Sequence, residues 1–203
     1  EMAKIAEACG AAAVTVHGFN IHPGSAKNKM KNALLMAMEF NAMLPPAEIP
    51  AHTEGYEGFY HLQAMSGDET TAKLEYIVRD HDTDKFNARK AAMERIAAYL
   101  NDKYGAGTVE LQLTDQYYNM KAQIEPHMYL VHRAKAAFVR CGVEAREMAI
   151  RGGTDGARLS YEGLPCPNLS TGGANFHGVH EFIPVPSLEK MVEVLVALVR
   201  EDK

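Results

Sequence analysis

Phe59-Tyr-His-Leu-Gln-Ala-Met65, Ser66-Gly-Asp68 and Ala72-Lys-Leu-Glu-Tyr-Ile-Val78 decide the fold of this chain. The two outer runs are rich in aromatic and branched residues, and Ser-Gly-Asp between them is turn chemistry. The spacing therefore predicts two antiparallel strands joined as a hairpin. On the C-terminal side Asp82 or Thr83 caps a long helix through Tyr104. Phe86, Ala92, Met93, Ile96, Ala97 and Leu100 fall on one side of it, and Arg89, Lys90, Glu94 and Arg95 on the other. Gly105-Ala-Gly107 ends this helix, and Val109 to Leu113 alternates as a half-buried strand does.

On the N-terminal side Ala11 to His17 reads as a strand, and Gly18 to Gly24, with His22-Pro-Gly24, as a turn. Ser25 is then placed to cap a helix from Ala26 to about Leu44, ended before Pro45-Pro46, with Lys27, Lys29 and Lys31 on its solvated face. The order strand, helix, strand, strand, helix, strand predicts an open-faced sandwich, two helices on one face of an antiparallel sheet. Beyond it the pattern changes to a helix over Met128 to Cys141, a strand over Ala145 to Ile150, a turn or short helix near Asp155, a strand over Pro165 to Leu169 and a helix from Ser187. The fold class expected is thus α+β followed by α/β: an antiparallel open-faced sandwich over residues 1–115, then a partial α/β domain over residues 116–203. With so few strands, the second sheet is expected to lack neighbours.

Composition narrows the function. A net charge of −5 with acids and bases interspersed argues against a nucleic-acid or anionic-membrane partner. No apolar run reaches the roughly 20 residues of a membrane helix, and no basic region followed by an apolar stretch opens the chain. Cys9, Cys141 and Cys166 are odd in number and far apart, which fits reduced thiols in the cytoplasm. The opening Glu1-Met-Ala-Lys4 has neither an initiator methionine at the first position nor the look of a disordered tail, as expected of a fragment.

Chemistry concentrates in Thr171-Gly-Gly-Ala-Asn-Phe-His177-Gly-Val-His180-Glu181-Phe182. A neutral imidazole is a good zinc ligand, a carboxylate nearby can orient it, and glycines let backbone approach an ion or substrate. A surface loop that happens to carry histidines is the competing reading. Two arginines stand beside backbone features. Arg79 ends a strand next to Asp80, where a surface ion pair is the simplest account, and Arg151 precedes Gly152-Gly153, whose amides could approach a ligand or form a tight turn. Tyr56, Phe59, Tyr60, Tyr117 and Tyr118 are read as packing.

Asn20-Ile-His22-Pro-Gly-Ser-Ala-Lys27, Thr53-Glu-Gly-Tyr-Glu-Gly-Phe-Tyr-His61, Asp115-Gln-Tyr-Tyr-Asn-Met120, Ile150-Arg-Gly-Gly-Thr-Asp-Gly156, Gly163-Leu-Pro-Cys-Pro-Asn168 and the opening segment together resemble the peptidase T family. These are tripeptide aminopeptidases among the di-zinc exopeptidases. The resemblance covers essentially the whole chain, and it implies a dimerisation lid up to about residue 115 followed by the C-terminal part of a catalytic domain. It implies two zinc ions, tripeptide substrates and a homodimer through the lid. It implies His177 as a metal ligand with His180 a neighbour, His22 as a catalytic donor to the oxyanion, and Arg79 as substrate-binding; Arg151, with the amides of Gly152 and Gly153, is a second substrate-binding candidate. The family's His-x-Asp pair and Glu-Glu doublet do not occur in this sequence. The general base and most metal ligands are therefore absent, and the chain alone is expected to be inactive. Two alternatives stand beside this reading. One is another di-zinc exopeptidase or N-acyl amino acid deacylase with the same lid, and the other a non-catalytic dimerisation or binding module.

Overall fold

A computed structural model of the chain describes residues 2–6 and 8–200. They form two units, one spanning residues 8–118 and the other joining residues 2–6 to 119–200. After a short first strand, β1 (Met2–Ala6), comes β2 (Ala8–His17), which is buried throughout Ala8–Gly10 and alternates from Ala11 onward. Ala12, Val14 and Val16 are buried while Ala13 and His17 are exposed, the signature of a strand with one wet face.

The hairpin forms, with its turn at residues 68–70 because Ser66 and Gly67 still pair with Lys73 and Ala72. β3 (Phe59–Gly67) and β4 (Thr71–Asp80) pair antiparallel, with a register shift between Leu62 and Ala64. Asp68 closes the turn by accepting from the amides of Thr70 at 2.8 Å and Thr71 at 3.1 Å. Those two bonds hold its carboxyl below the usual carboxylate range. β5 (Val109–Tyr117) completes an antiparallel sheet of order β3-β4-β2-β5.

Helix α1 (Ala33–Ala42) buries Ala33, Met36, Ala37 and Phe40, and α2 (Thr83–Tyr104) buries Phe86, Met93, Ile96, Ala97 and Leu100. Both helices share one core with Val14, Val16, Leu74 and Tyr76, so they cover the same face of the sheet. Each fully buried Phe or Leu here contributes about 1.5 to 3 kcal/mol of transfer free energy. Asp82 caps α2 by accepting from the Lys85 amide at 2.9 Å, and Gly105 at φ 114° ends it in a conformation open to glycine.

Helix α1 starts later than its apolar spacing predicts. Phe19 and Lys31 bond each other's backbone in both directions, at 2.8 and 3.0 Å, and this bridge keeps residues 26–32 out of the helix, with a turn over residues 27–29 and Asn28 at φ 61°. Asn32 is the cap, accepting from the Leu35 amide, while Ser25 lies in a 3-10 turn over Pro23–Ser25. Lys27 and Lys29 are thus loop residues, and the Lys31 ammonium donates to the carbonyl of Tyr104.

In the second unit β1 is central. It pairs parallel with β6 (Glu147–Ile150) and antiparallel with β7 (Asn168–Leu169), giving the order β6-β1-β7. That pairing draws residues 2–6 out of the first unit, and the division falls after Tyr118, where sequence alone places it after residue 115. Helices α3 (Lys121–Ile124), α4 (Met128–Arg140), α5 (Asp155–Tyr161) and α6 (Val185–Val199) surround this sheet. Met120, Ile124, Val131, Phe138, Ala157 and Val194 are among its buried residues. α6 buries Val194 while leaving Leu188, Val192, Leu195 and Val199 about half or more exposed, more apolar surface than a closed helix layer shows.

Candidate functional site

His22 sits at the start of the 3-10 turn that Pro23-Gly24 enforces, exposed to solvent. Its Nδ1 accepts from the Gly24 amide at 3.1 Å. A neutral imidazole that accepts at Nδ1 carries its proton at Nε2, so the bond to Gly24 presents His22 as an N–H donor. The ring borders a cleft of about 420 Å³ whose walls include Asn20, Ile21, Met30, Asn32 and Glu69. Asn20 is fixed by a 2.9 Å bond from its amide to the Glu69 carboxylate.

Arg79 lies near the C-terminal end of β4, with its guanidinium carbon 5.9 Å from the centroid of the Phe59 ring, its pairing neighbour on β3. The neighbouring Asp80 points to the opposite face, as strand alternation requires. It is buried, and its Oδ2 accepts from Nε of Arg89 at 2.9 Å, so the surface pair expected between Arg79 and Asp80 gives way to a buried pair across the unit. Arg89 also reaches Glu48 and stacks over the Tyr60 ring at 5.2 Å. Burial works against its charge, but the Asp80 and Glu48 carboxylates outweigh burial and hold the guanidinium above its ordinary value. Sequence periodicity places Arg89 on the solvent side of α2, whereas its side chain is only 13% exposed. The segment before β3 folds over it.

The aromatic residues pack as expected for most members. Phe59 and Tyr60 are buried, and burial pushes the Tyr60 hydroxyl pKa up. Tyr56 is exposed and meets His81 edge-on at 5.0 Å, while the Tyr118 hydroxyl donates to Asp115 at 3.1 Å.

In the second unit Arg151 follows β6, and Gly152-Gly153 lead into Thr154, which caps α5 by accepting from the Ala157 amide at 3.2 Å. The glycine that packing demands there is Gly156, where an added Cβ would stand 2.7 Å from the Cys166 carbonyl oxygen. His177 is exposed at φ 64°, a left-handed conformation uncommon outside glycine and enriched in His, Asn and Asp. Its backbone amide donates to Glu181 at 2.8 Å. The carboxylate that sequence reading assigns to the imidazole therefore clamps the His177 backbone instead. Backbone bonds between Ala174 and Phe182, and one from the Asn175 side-chain amide to the His180 carbonyl, close the loop. Among the described residues no three His, Cys, Asp or Glu side chains gather as a metal site. One imidazole does not hold zinc, which takes about three or four ligands, so these residues alone do not fit the metal.

Residues 9–108 match the family model of the peptidase dimerisation domain. The chain is 57% identical over 188 residues to peptidase T of Halothermothrix orenii, which covers 93% of this chain and 46% of that protein. To peptidase T of Clostridium novyi it is 53% identical over 186 residues, 92% of this chain and 46% of that one. It thus spans about half the length of the curated relatives it matches. Among solved structures, a tripeptidase from Staphylococcus aureus superposes with a TM-score of 0.82 at 17% identity, over 98% of this chain and 53% of that one. Aminopeptidase PepT from Bacillus cereus superposes with a TM-score of 0.76 at 21% identity, over 98% and 53%. A hydantoinase/carbamoylase family amidase from Burkholderia vietnamiensis reaches 0.78 at 17%, over 99% and 49%. At such identities the superpositions speak for the fold, which is common to both kinds of enzyme.

Proposed function

From a chain that is homologous to peptidase T over 93% of its length and carries the peptidase dimerisation domain, we propose that the complete protein is a tripeptide aminopeptidase. It releases the N-terminal residue of tripeptides by zinc-assisted hydrolysis, in the cytoplasm and as a homodimer through the residue 8–118 unit. The observation that carries this reading is the 57% identity to peptidase T, which runs through both units of the chain. Among the described residues no helix is long and apolar enough to cross a membrane.

Each residue has a role in this proposal. His22, with its proton held at Nε2 by the Gly24 amide, donates to the oxygen on which negative charge develops, an interaction strongest in the transition state. Arg79 takes the peptide's terminal carboxylate, for which a planar guanidinium offers two parallel bonds. Arg151 and the amides of Gly152 and Gly153 hold the peptide backbone. His177 is one metal ligand, and the remaining ligands and the general base come from sequence outside these residues. Zinc, when bound in the complete protein, would polarise the scissile carbonyl and supply an activated water.

A substrate panel on the complete protein tests the reading. Tripeptides are turned over with loss of the first residue, while dipeptides and N-acyl amino acids are poor substrates. A preference for N-acyl amino acids would replace it with a deacylase.

A further inference from the structure

Gly58, Phe59 and Tyr60 stand where two parts of one ion cluster, buried at Asp80 and Arg89, meet the start of β3. On one side Gly58 packs against Asp80, so closely that an added Cβ would lie 2.1 Å from its Oδ2. On the other side the Tyr60 ring lies 5.2 Å beneath the Arg89 guanidinium, and the Tyr60 hydroxyl donates to the Arg89 carbonyl at 3.2 Å. The Tyr60 amide also donates to the Glu48 carbonyl at 2.8 Å, while the Glu48 side chain binds Arg89. Asp80 itself is locked by Nε of Arg89 at 2.9 Å and by the Asp82 amide at 3.0 Å. Phe59 is thereby held from both flanks, and Phe59 is the ring over which the Arg79 guanidinium sits.

We propose that the Glu48–Arg89–Asp80 cluster is a positioning device for Arg79, with Arg89 its central residue. Arg79 and Asp80 are consecutive in β4, so fixing the inward Asp80 carboxylate also fixes the outward direction of Arg79. The cluster then acts a second time through Gly58-Phe59-Tyr60, setting the ring that supports the guanidinium. Bidentate binding of a carboxylate tolerates little angular error, so a shift of this support translates into lost affinity for peptides with a free C-terminus. Arg89 touches no substrate in this arrangement. The inference rests on Arg79 as the carboxylate-binding residue, and its test separates the two.

The test compares, on the complete enzyme, a tripeptide with a free C-terminal carboxylate and the same tripeptide carrying a C-terminal amide. Arg79→Met is expected to abolish the preference for the free carboxylate. Arg89→Met is expected to raise KM for the carboxylate form about tenfold while kcat, and all constants for the amide form, change little. Arg89→Lys keeps the charge and one carboxylate contact, and is expected to restore part of the preference. It also serves as the informative variant should Arg89→Met not fold. A loss shared equally by the two substrates would mark Arg89 as merely structural. Loss of the preference in Arg79→Met, but an unchanged preference in both Arg89 variants, would overturn the positioning role and leave Arg79 standing. An unchanged preference in Arg79→Met would overturn both.

Discussion

Replacing Arg89 by methionine removes one side chain and strands another. The Asp80 side chain is 2% exposed and that of Arg89 13%, whereas that of Glu48 is 40% exposed. Once the guanidinium is gone, Glu48 turns to water, and that contact accounts for about 0.2 to 1 kcal/mol as a partly exposed pair. Asp80 has no such escape: it keeps the Asp82 amide at 3.0 Å but loses its countercharge. An uncompensated buried carboxylate costs about 3 to 5 kcal/mol, so nearly the whole effect comes from Asp80. Adding Asp80→Asn to Arg89→Met removes the stranded charge and should recover roughly half of the loss. Urea unfolding of the chain followed by circular dichroism at 222 nm reads this directly, and the absence of tryptophan leaves backbone signal as the cleaner probe. A destabilisation below about 1 kcal/mol, or a double variant no more stable than Arg89→Met, would refute the assignment of the cost to Asp80.

Phe86→Ala leaves a cavity in the core of the first unit, where Phe86 is fully buried, and should cost about 3 to 5 kcal/mol by the same denaturation measurement. Glu39 accepts from Lys103 at 2.6 Å and from the Tyr104 hydroxyl at 2.6 Å, and these partners hold its carboxyl below its ordinary value of 4.5. A group with a depressed folded pKa stabilises the fold above its unfolded value and loses that contribution as pH falls through the folded one. The thermal midpoint of wild type should therefore exceed that of Glu39→Gln near neutral pH, and the gap should close below pH 4.5, whereas a gap independent of pH would contradict the pairing. His22→Ala in the complete enzyme should lower kcat about 10²- to 10³-fold with KM nearly unchanged, and a pure KM effect would assign His22 to binding.

Much of the first unit was legible because its signals are local. Asp82 and Gly105 bracket α2, and turn residues separate β3 from β4, so residue types near one another in the chain were enough. The start of α1 was not, since Met30, Ala33 and Ala37 keep helical spacing across a turn that is set by a bridge between Phe19 and Lys31. Strand β1 carried no flanking turn residues, and its partners lie more than 140 residues away. Arg89 was misplaced because a helical wheel shows which side chains are neighbours along α2 and cannot show the segment around Glu48 closing over them. Around the candidate site, the turn at His22 was legible through Pro23-Gly24, whereas the role proposed for its ring rests on the resemblance. Glu181 was legible as a partner of His177 at the correct spacing, but its bond is to the backbone amide rather than the ring. Sequence distance alone does not distinguish the two.

The most direct test of the account measures zinc content and tripeptide turnover for the 203-residue chain and for the complete protein side by side. The complete protein should hold zinc and release the first residue of tripeptides. The chain alone, with His177 its one assigned ligand, should retain no zinc after gel filtration and show no turnover. Stoichiometric zinc and tripeptide hydrolysis by the chain alone would contradict the claim that its site is completed from elsewhere.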